Sequence, residues 1–181
     1  MRTICVVTAT RAEYGLLRPV VQKLAASSTL QLQLVATGAH LCPRLGETVR
    51  EIEADGVPIA ARLPIFVGDE NEPVAVTIAR TITVFDAYFS AHRPDAVLLL
   101  GDRFEIFAAA TAAAARHIPI AHISGGDVTL GAADEYYRHC ITKMAAVHFP
   151  SCADSAARLV RMGEAPETVF CVGGLGDENI R

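Results

Sequence analysis

The chain has 181 residues, about half of them hydrophobic, enough for one substantial domain or two small ones with a real core. A net charge of −4 and a pI near 5.8 argue against a nucleic-acid or anionic-membrane surface while leaving room for a local anion site. Five cysteines, an odd number without a C-x-x-C pair, read as buried reduced thiols of a cytoplasmic protein.

Arg2–Ala9 is a β-branched run of buried-strand type, followed by Thr10–Gly15 as a polar turn. Leu17, Val20, Val21 and Leu24 recur at helical spacing within Leu16–Ala26. The run up to Thr37 alternates as LQLQLVAT, a second strand starting near Thr29, and Gly38–Leu41 is a loop at its end. Arg44–Ala54 has the charges of a solvated helix that Gly56 ends, Val57–Phe66 is weakly extended, and Asp69–Asn71 is an acidic loop. Pro73–Ala91 is predicted as a long helix, broken by His92-Arg93-Pro94. No apolar stretch approaches the roughly 18 residues a bilayer span needs, and the start lacks the h-region and cleavage site of a signal peptide.

Asp95–Leu100 is the strongest strand, a continuous apolar run of central type. An alanine-rich helix follows over Phe104–Arg116, then a strand over Ile118–Ile123 and a helix over Ala132–Ala146. Val147–Pro150 is a short strand. Ser151–Gly163 is a helix for which Ser151 is the candidate cap, with Asp154 at capping-box spacing. Val169–Val172 is a last strand before Gly173-Gly174-Leu175-Gly176. The alternation means βαβ units and an α/β, Rossmann-like, doubly wound, mostly parallel sheet. Residues 1–174 form one domain; 175–181 read as the start of a linker to a second domain.

In such a sheet, ligands sit beyond the carboxyl ends of the strands. Two strands here end in ionisable clusters: Gly101-Asp102-Arg103-x-Glu105, and His122-x-Ser124-Gly125-Gly126-Asp127, which runs on to Asp134, Glu135, Arg138 and His139. The Gly-Gly pair permits positive φ or close approach of a ligand to the backbone. Asp134-Glu135 and Arg138-His139, three and four positions apart, place a carboxylate pair beside a basic pair on one helical face. Each group also has an ordinary reading: Asp102 as a helix N-cap, Arg103 as the partner of Glu105, Asp127 as a solvated turn residue, the last four as a surface ion-pair cluster. Arg11, between strand and helix, is either a surface arginine or a fork for a phosphate. G-x-G-x-x-G and P-loop motifs are missing, which counts against NAD(P) and ATP. No G-x-S-x-G elbow and no metal-ligand spacing among the histidines stands out. The rim fits general acid/base chemistry on a phosphorylated or sugar substrate.

Taken together, TATRAEYGLLRPV, LLLGDRFE, HISGGDVTLGAADEYYRHCITKMAAVHFP and VFCVGGLGDENI resemble the hydrolysing UDP-N-acetylglucosamine 2-epimerases of the sialic-acid branch. The resemblance implies one half of a glycosyltransferase-B-type fold, two Rossmann-like domains with the nucleotide sugar between them, of which this chain is the N-terminal one. It implies that UDP leaves C1 of UDP-GlcNAc with loss of the C2 proton, giving a 2-acetamidoglucal that water converts to N-acetylmannosamine. No metal or redox cofactor is implied; the expected partners are a UDP-sugar and further copies of the same protein, with no nucleic acid and no membrane. By motif position Asp102, Asp127 and Asp134 take catalytic roles, while Arg11, Arg103, His122, Arg138 and His139 line the substrate site. Asp127 falls where the sialic-acid branch has a glutamate, so its carboxylate is withdrawn by roughly 1.5 Å. Ser124 stands where the other branch has a glutamate. Related possibilities are an epimerase for another UDP-2-acetamido sugar, as on the legionaminic-acid route, and a non-catalytic nucleotide-sugar-binding domain. The 181 residues alone are expected to be inactive, because a further catalytic histidine and most uridine contacts belong to the C-terminal domain in this family.

Overall fold

The computed structural model describes residues 1–67 and 72–176; the expected acidic loop at Asp69–Asn71 and the tail from Asp177 to Arg181 lie outside them. Strands β1 (Arg2–Thr8), β2 (Leu30–Thr37), β3 (Ile59–Leu63), β4 (Ala96–Leu100), β5 (Ile120–Ile123) and β6 (Val147–Phe149) form one all-parallel sheet in the order β3-β2-β1-β4-β5-β6. The chain winds outward from β1 to β3, returns to the middle, and winds outward again from β4 to β6. The order therefore reverses between β1 and β4, where Val6 lies level with Leu98. That reversal is the switch point at which such sheets open a crevice.

Helices follow the strands as α1 (Arg11–Ala25), α2 (Val49–Ala54), α3 (Val74–Ala91), α4 (Phe104–Ala115), α5 (Asp134–Met144) and α6 (Ala153–Arg161). Because strand side chains alternate, the sheet has two apolar faces. Cys5, Val7, Val97 and Leu99 pack with Phe85 and Phe89 of α3, Ile106 and Ala109 of α4 and Ile141 of α5. Val6, Leu34, Leu98 and Leu100 pack with Tyr14, Leu17 and Val21 of α1 and Ile52 of α2. The alanines of α4 are the small side chains that let it lie close between sheet and α3.

Several expectations change. Residues from Arg11 to Gly15 are not a turn but the first turn of α1: Thr10 caps the helix, and Glu13 reaches back to the Ala9 and Thr10 N–H groups at 2.7 and 3.1 Å. Ser151 does not cap α6; Cys152 takes the N-cap position without a side-chain cap. Val169–Val172 does not become a strand: among the described residues, the Val169–His148 bridge and two further backbone bonds, Phe170 N–H to His148 and Val172 N–H to Pro150, tie it to the sheet. Cys5 and Cys42 are buried as expected, but Cys140, Cys152 and Cys171 are exposed; all five are free. Helix α3 is, by length and composition, apolar enough to cross a bilayer. Its Phe85 and Phe89 face the core, and Arg80 pairs with Glu72 at 2.6 Å, as a helix in the layer of an α/β fold does.

Candidate active site

The polar rim is assembled at the carboxyl ends of β4 and β5, adjacent strands in the sheet. Its centre is Arg138 on α5, a guanidinium whose side chain is only 4 % exposed. Arg138 donates to the Asp102 carboxylate, to Glu135 at 2.7 Å, to Thr129 Oγ1 at 2.7 Å and to the Asp127 carbonyl at 2.8 Å. Burial, with the charge of Arg158 second, lowers its pKa from the usual arginine range. One residue thus gathers the end of β4, the β5–α5 loop and the first turn of α5. Asp102 is not the cap of α4, a position taken by the Arg103 backbone, and its Oδ1 has no hydrogen-bond partner among the described residues.

The second carboxylate is held differently. Asp127 Oδ1 accepts from Ser151 Oγ at 2.8 Å and from Ser155 Oγ at 2.6 Å, which turns it toward the start of α6. The Gly-Gly pair before it meets the expected need for positive φ, at Gly126 with φ +80°, and both glycines are also closely packed. A Cβ on Gly126 would stand 2.4 Å from the Ser155 carbonyl oxygen, and one on Gly125 3.0 Å from His122 Nδ1. Asp134 opens α5, and its charge acts on Arg103. His139 pairs with Glu135 at 3.2 Å.

His122 does not reach the rim surface. It is fully buried, its Nε2–H donates to the Gly101 carbonyl at 2.8 Å, and its Nδ1 lies 3.3 Å from Thr142 Oγ1. A carbonyl only accepts, so the Nε2–H tautomer follows. Burial pushes its pKa down to about 4, which keeps the ring neutral. Arg11 lies apart from the Arg138 cluster, as the exposed first residue of α1, paired with Glu51 of α2 at 2.8 Å.

Of two further buried carboxylates, Glu13 was not singled out from the sequence, whereas Glu105 was read as the partner of Arg103 and is. Glu13 on α1 and Glu105 on α4 flank Arg103 at the β1/β4 switch point. Arg103 Nη2 donates to Glu105 at 2.8 Å, and its Nε lies 3.9 Å from Glu13. Burial, the largest influence, raises the Glu13 pKa to about 7; the Ala9 N–H bond opposes it and Glu105 adds to it. The Thr10-x-x-Glu13 capping-box spacing was a visible signal for Glu13.

This sheet, with acids and arginines at its strand ends, is the Rossmann-like half of a glycosyltransferase-B-type enzyme fold. The family is narrower: the chain belongs to the UDP-N-acetylglucosamine 2-epimerase family, whose model matches residues 22–181. The UDP-N,N'-diacetylbacillosamine 2-epimerase (hydrolyzing) of Legionella pneumophila is 41 % identical over 181 residues, covering 99 % of this chain and 48 % of that one. Polysialic acid biosynthesis protein P7 of Escherichia coli is 38 % identical over 180 residues, 99 % of this chain and 46 % of the relative. The chain thus spans about half the length of the curated relatives it matches. Among solved structures, the UDP-GlcNAc 2-epimerase of Neisseria meningitidis bound to UDP-GlcNAc has a TM-score of 0.85 at 23 % identity, over 97 % of this chain and 47 % of that one.

Proposed function

We propose that the natural protein carrying this chain is a hydrolysing 2-epimerase of a UDP-2-acetamido sugar, with UDP-GlcNAc giving N-acetylmannosamine and UDP as the leading reaction. These residues would form one wall of its cleft. The single observation that carries the reading is the Arg138 cluster, which sets Asp102, its Oδ1 without a hydrogen-bond partner among the described residues, beside the Asp127 loop at the ends of β4 and β5. The C2 proton of the sugar is not next to a carbonyl, so it becomes acidic only as the C1–O bond breaks and cationic charge develops. A carboxylate facing that carbon stabilises the cation and takes the proton, leaving a 2-acetamidoglucal. A second carboxylate then serves the addition of water. Asp102 is the candidate base, with Asp127 and Asp134 as the further acid/base groups. Arg103 and Arg11 at the strand ends suit the diphosphate, whose departure their charge assists. Arg138 and His139 hold the carboxylates, and His122 holds the turn that carries Asp102.

Incubating the natural polypeptide with UDP-GlcNAc in D2O tests this. UDP release with N-acetylmannosamine deuterated at C2 is the expected result; no UDP release rejects the reaction for this sugar. The 41 % identical relative favours a second substrate, a UDP-diacetylbacillosamine, and competition between the two sugars by kcat/KM decides. A cytoplasmic setting, supported by five free thiols, and a homo-oligomer belong to the same proposal. Residues 1–181 on their own should not turn over, since they offer one wall of the cleft.

A further inference from the structure

The cluster at the β1/β4 switch point is built in an unusual way. Glu13 and Glu105 come from different helices, and their side chains are 10 % and 0 % exposed. Arg103 between them is 42 % exposed. Glu13 Oε1, Glu105 Oε2 and Arg103 Nε are buried and have no hydrogen-bond partner among the described residues. Buried ionisable groups left so incompletely paired cost stability, so the arrangement is not explained as a stabilising ion pair. Of the three side chains, Arg103 is the one that reaches solvent appreciably. Its Nη1 has no hydrogen-bond partner among the described residues, and the Phe104 ring lies 5.9 Å from its Cζ. It stands where the N-terminal ends of α1 and α4 come together, a place that favours an anion.

We propose that Glu13 and Glu105 are positioning residues that hold Arg103 at the switch-point crevice as the contact for the diphosphate of the nucleotide sugar. The inference rests on the epimerase reading for the identity of the ligand, but not for the existence of the site. The sign of the electrostatics sharpens it. Two carboxylates and the nearby Asp134 cancel part of the arginine's charge, so anything they contribute to an anion site is positional. A free arginine loses much of its rotamer freedom on binding, and one already held by Glu105 has lost it beforehand. The pairing at 2.8 Å makes Glu105 the stronger of the two, and Glu13 at 3.9 Å the weaker.

The test is a double-mutant cycle on the natural polypeptide, with UDP as the probe in calorimetry and UDP-GlcNAc in turnover. Arg103→Ala should weaken UDP binding roughly tenfold or more. Glu105→Gln should weaken it roughly 3- to 10-fold, raising KM while kcat stays within about twofold. In the Arg103→Ala background the same Glu105→Gln change should alter UDP affinity by less than about twofold, because the residue it acts through is gone. Tighter or unchanged UDP binding by Glu105→Gln overturns the proposal, as does an additive double mutant. If Glu105→Gln does not fold, Glu13→Gln and Glu105→Asp replace it, with a smaller loss and a partial rescue expected. UDP binding without turnover of either UDP-GlcNAc or a UDP-diacetylbacillosamine would sink the epimerase reading and leave the cycle able to decide this one. A wild-type protein that does not bind UDP overturns both.

Discussion

His122 Nε2–H donates to the Gly101 carbonyl at 2.8 Å, so the buried end of β5 fixes the turn that presents Asp102 from β4. The bond crosses between neighbouring strands in which Leu99 lies level with His122. It makes His122 a residue that works through Asp102. Replacing it with Ala leaves the Gly101 carbonyl and Thr142 hydroxyl without this partner and opens a cavity. A loss of roughly 2–4 kcal/mol in urea unfolding is expected. Turnover should fall with it, and a Thr142→Val change, which touches only the ring's far side, should cost less in both.

Asp102→Asn and Asp127→Asn remove charge while keeping the shape and an acceptor oxygen. Asp127→Asn should fold as the wild type, since an amide oxygen still accepts from Ser151 and Ser155. Asp102→Asn leaves Arg138 with Glu135 as its remaining carboxylate and should destabilise by roughly 1–3 kcal/mol. In UDP-release assays on the natural polypeptide, kcat/KM should fall roughly 10²- to 10⁴-fold for Asp102→Asn. Wild-type rates would remove Asp102 from its role.

Stability should depend on pH through Glu13 and His122 in opposite senses. Glu13 has a folded pKa near 7, above its ordinary 4.5, because burial disfavours the anion. Its contribution is therefore complete below about 4.5 and lost as pH rises through 7. Glu13→Gln should be more stable than the wild type at about pH 8, by an amount on the order of a few kcal/mol, and equal to it in acid. His122, at about 4 when folded against an ordinary 6.5, contributes stability above 6.5 that is lost as pH falls toward 4. Urea midpoints from about pH 4 to 8 for both variants check the two signs.

Gly126→Ala should be among the most damaging loop changes, because the residue is buried. The residue sits at φ +80°, and a Cβ would press 2.4 Å from the Ser155 carbonyl. A loss of at least about 2 kcal/mol in thermal or urea unfolding is expected, with the Asp127 carboxylate displaced from its serines. Gly174→Ala, with nothing within 4 Å of the added Cβ, is the control and should change stability by no more than about 0.5 kcal/mol.

Residue order alone determined the class of fold here. Continuous apolar runs such as Ala96–Leu100 must be strands buried on both faces, and helical periodicity between them dictates crossovers. The two loaded strand ends were legible for the same reason: apolar runs stop abruptly at Gly101-Asp102-Arg103 and at Ser124–Asp127, and covalent neighbours cannot be separated by folding. The motifs also carried the resemblance to the 2-epimerases, and the family match over residues 22–181 agrees with it. Where local chemistry was overlooked, as with the Thr10–Glu13 capping box, the signal was nonetheless present in the chain.

The tertiary structure alone decided which groups meet. Arg138 stands 36 positions from Asp102 and Glu105 stands 92 from Glu13; only the parallel pairing that sets β1 beside β4, and β4 beside β5, brings each pair to one place. It also decided that His122 is buried, since strand alternation says that a side chain faces one layer but not how thickly that layer is covered. Ser151 and Ser155 turned out to hold Asp127 because a hydroxyl's choice between a helix end and a carboxylate depends on what the fold carries to within hydrogen-bond reach. Burial and partnership at this rim are properties of packing across elements, whereas the strands and their loaded ends are properties of the chain's own periodicity.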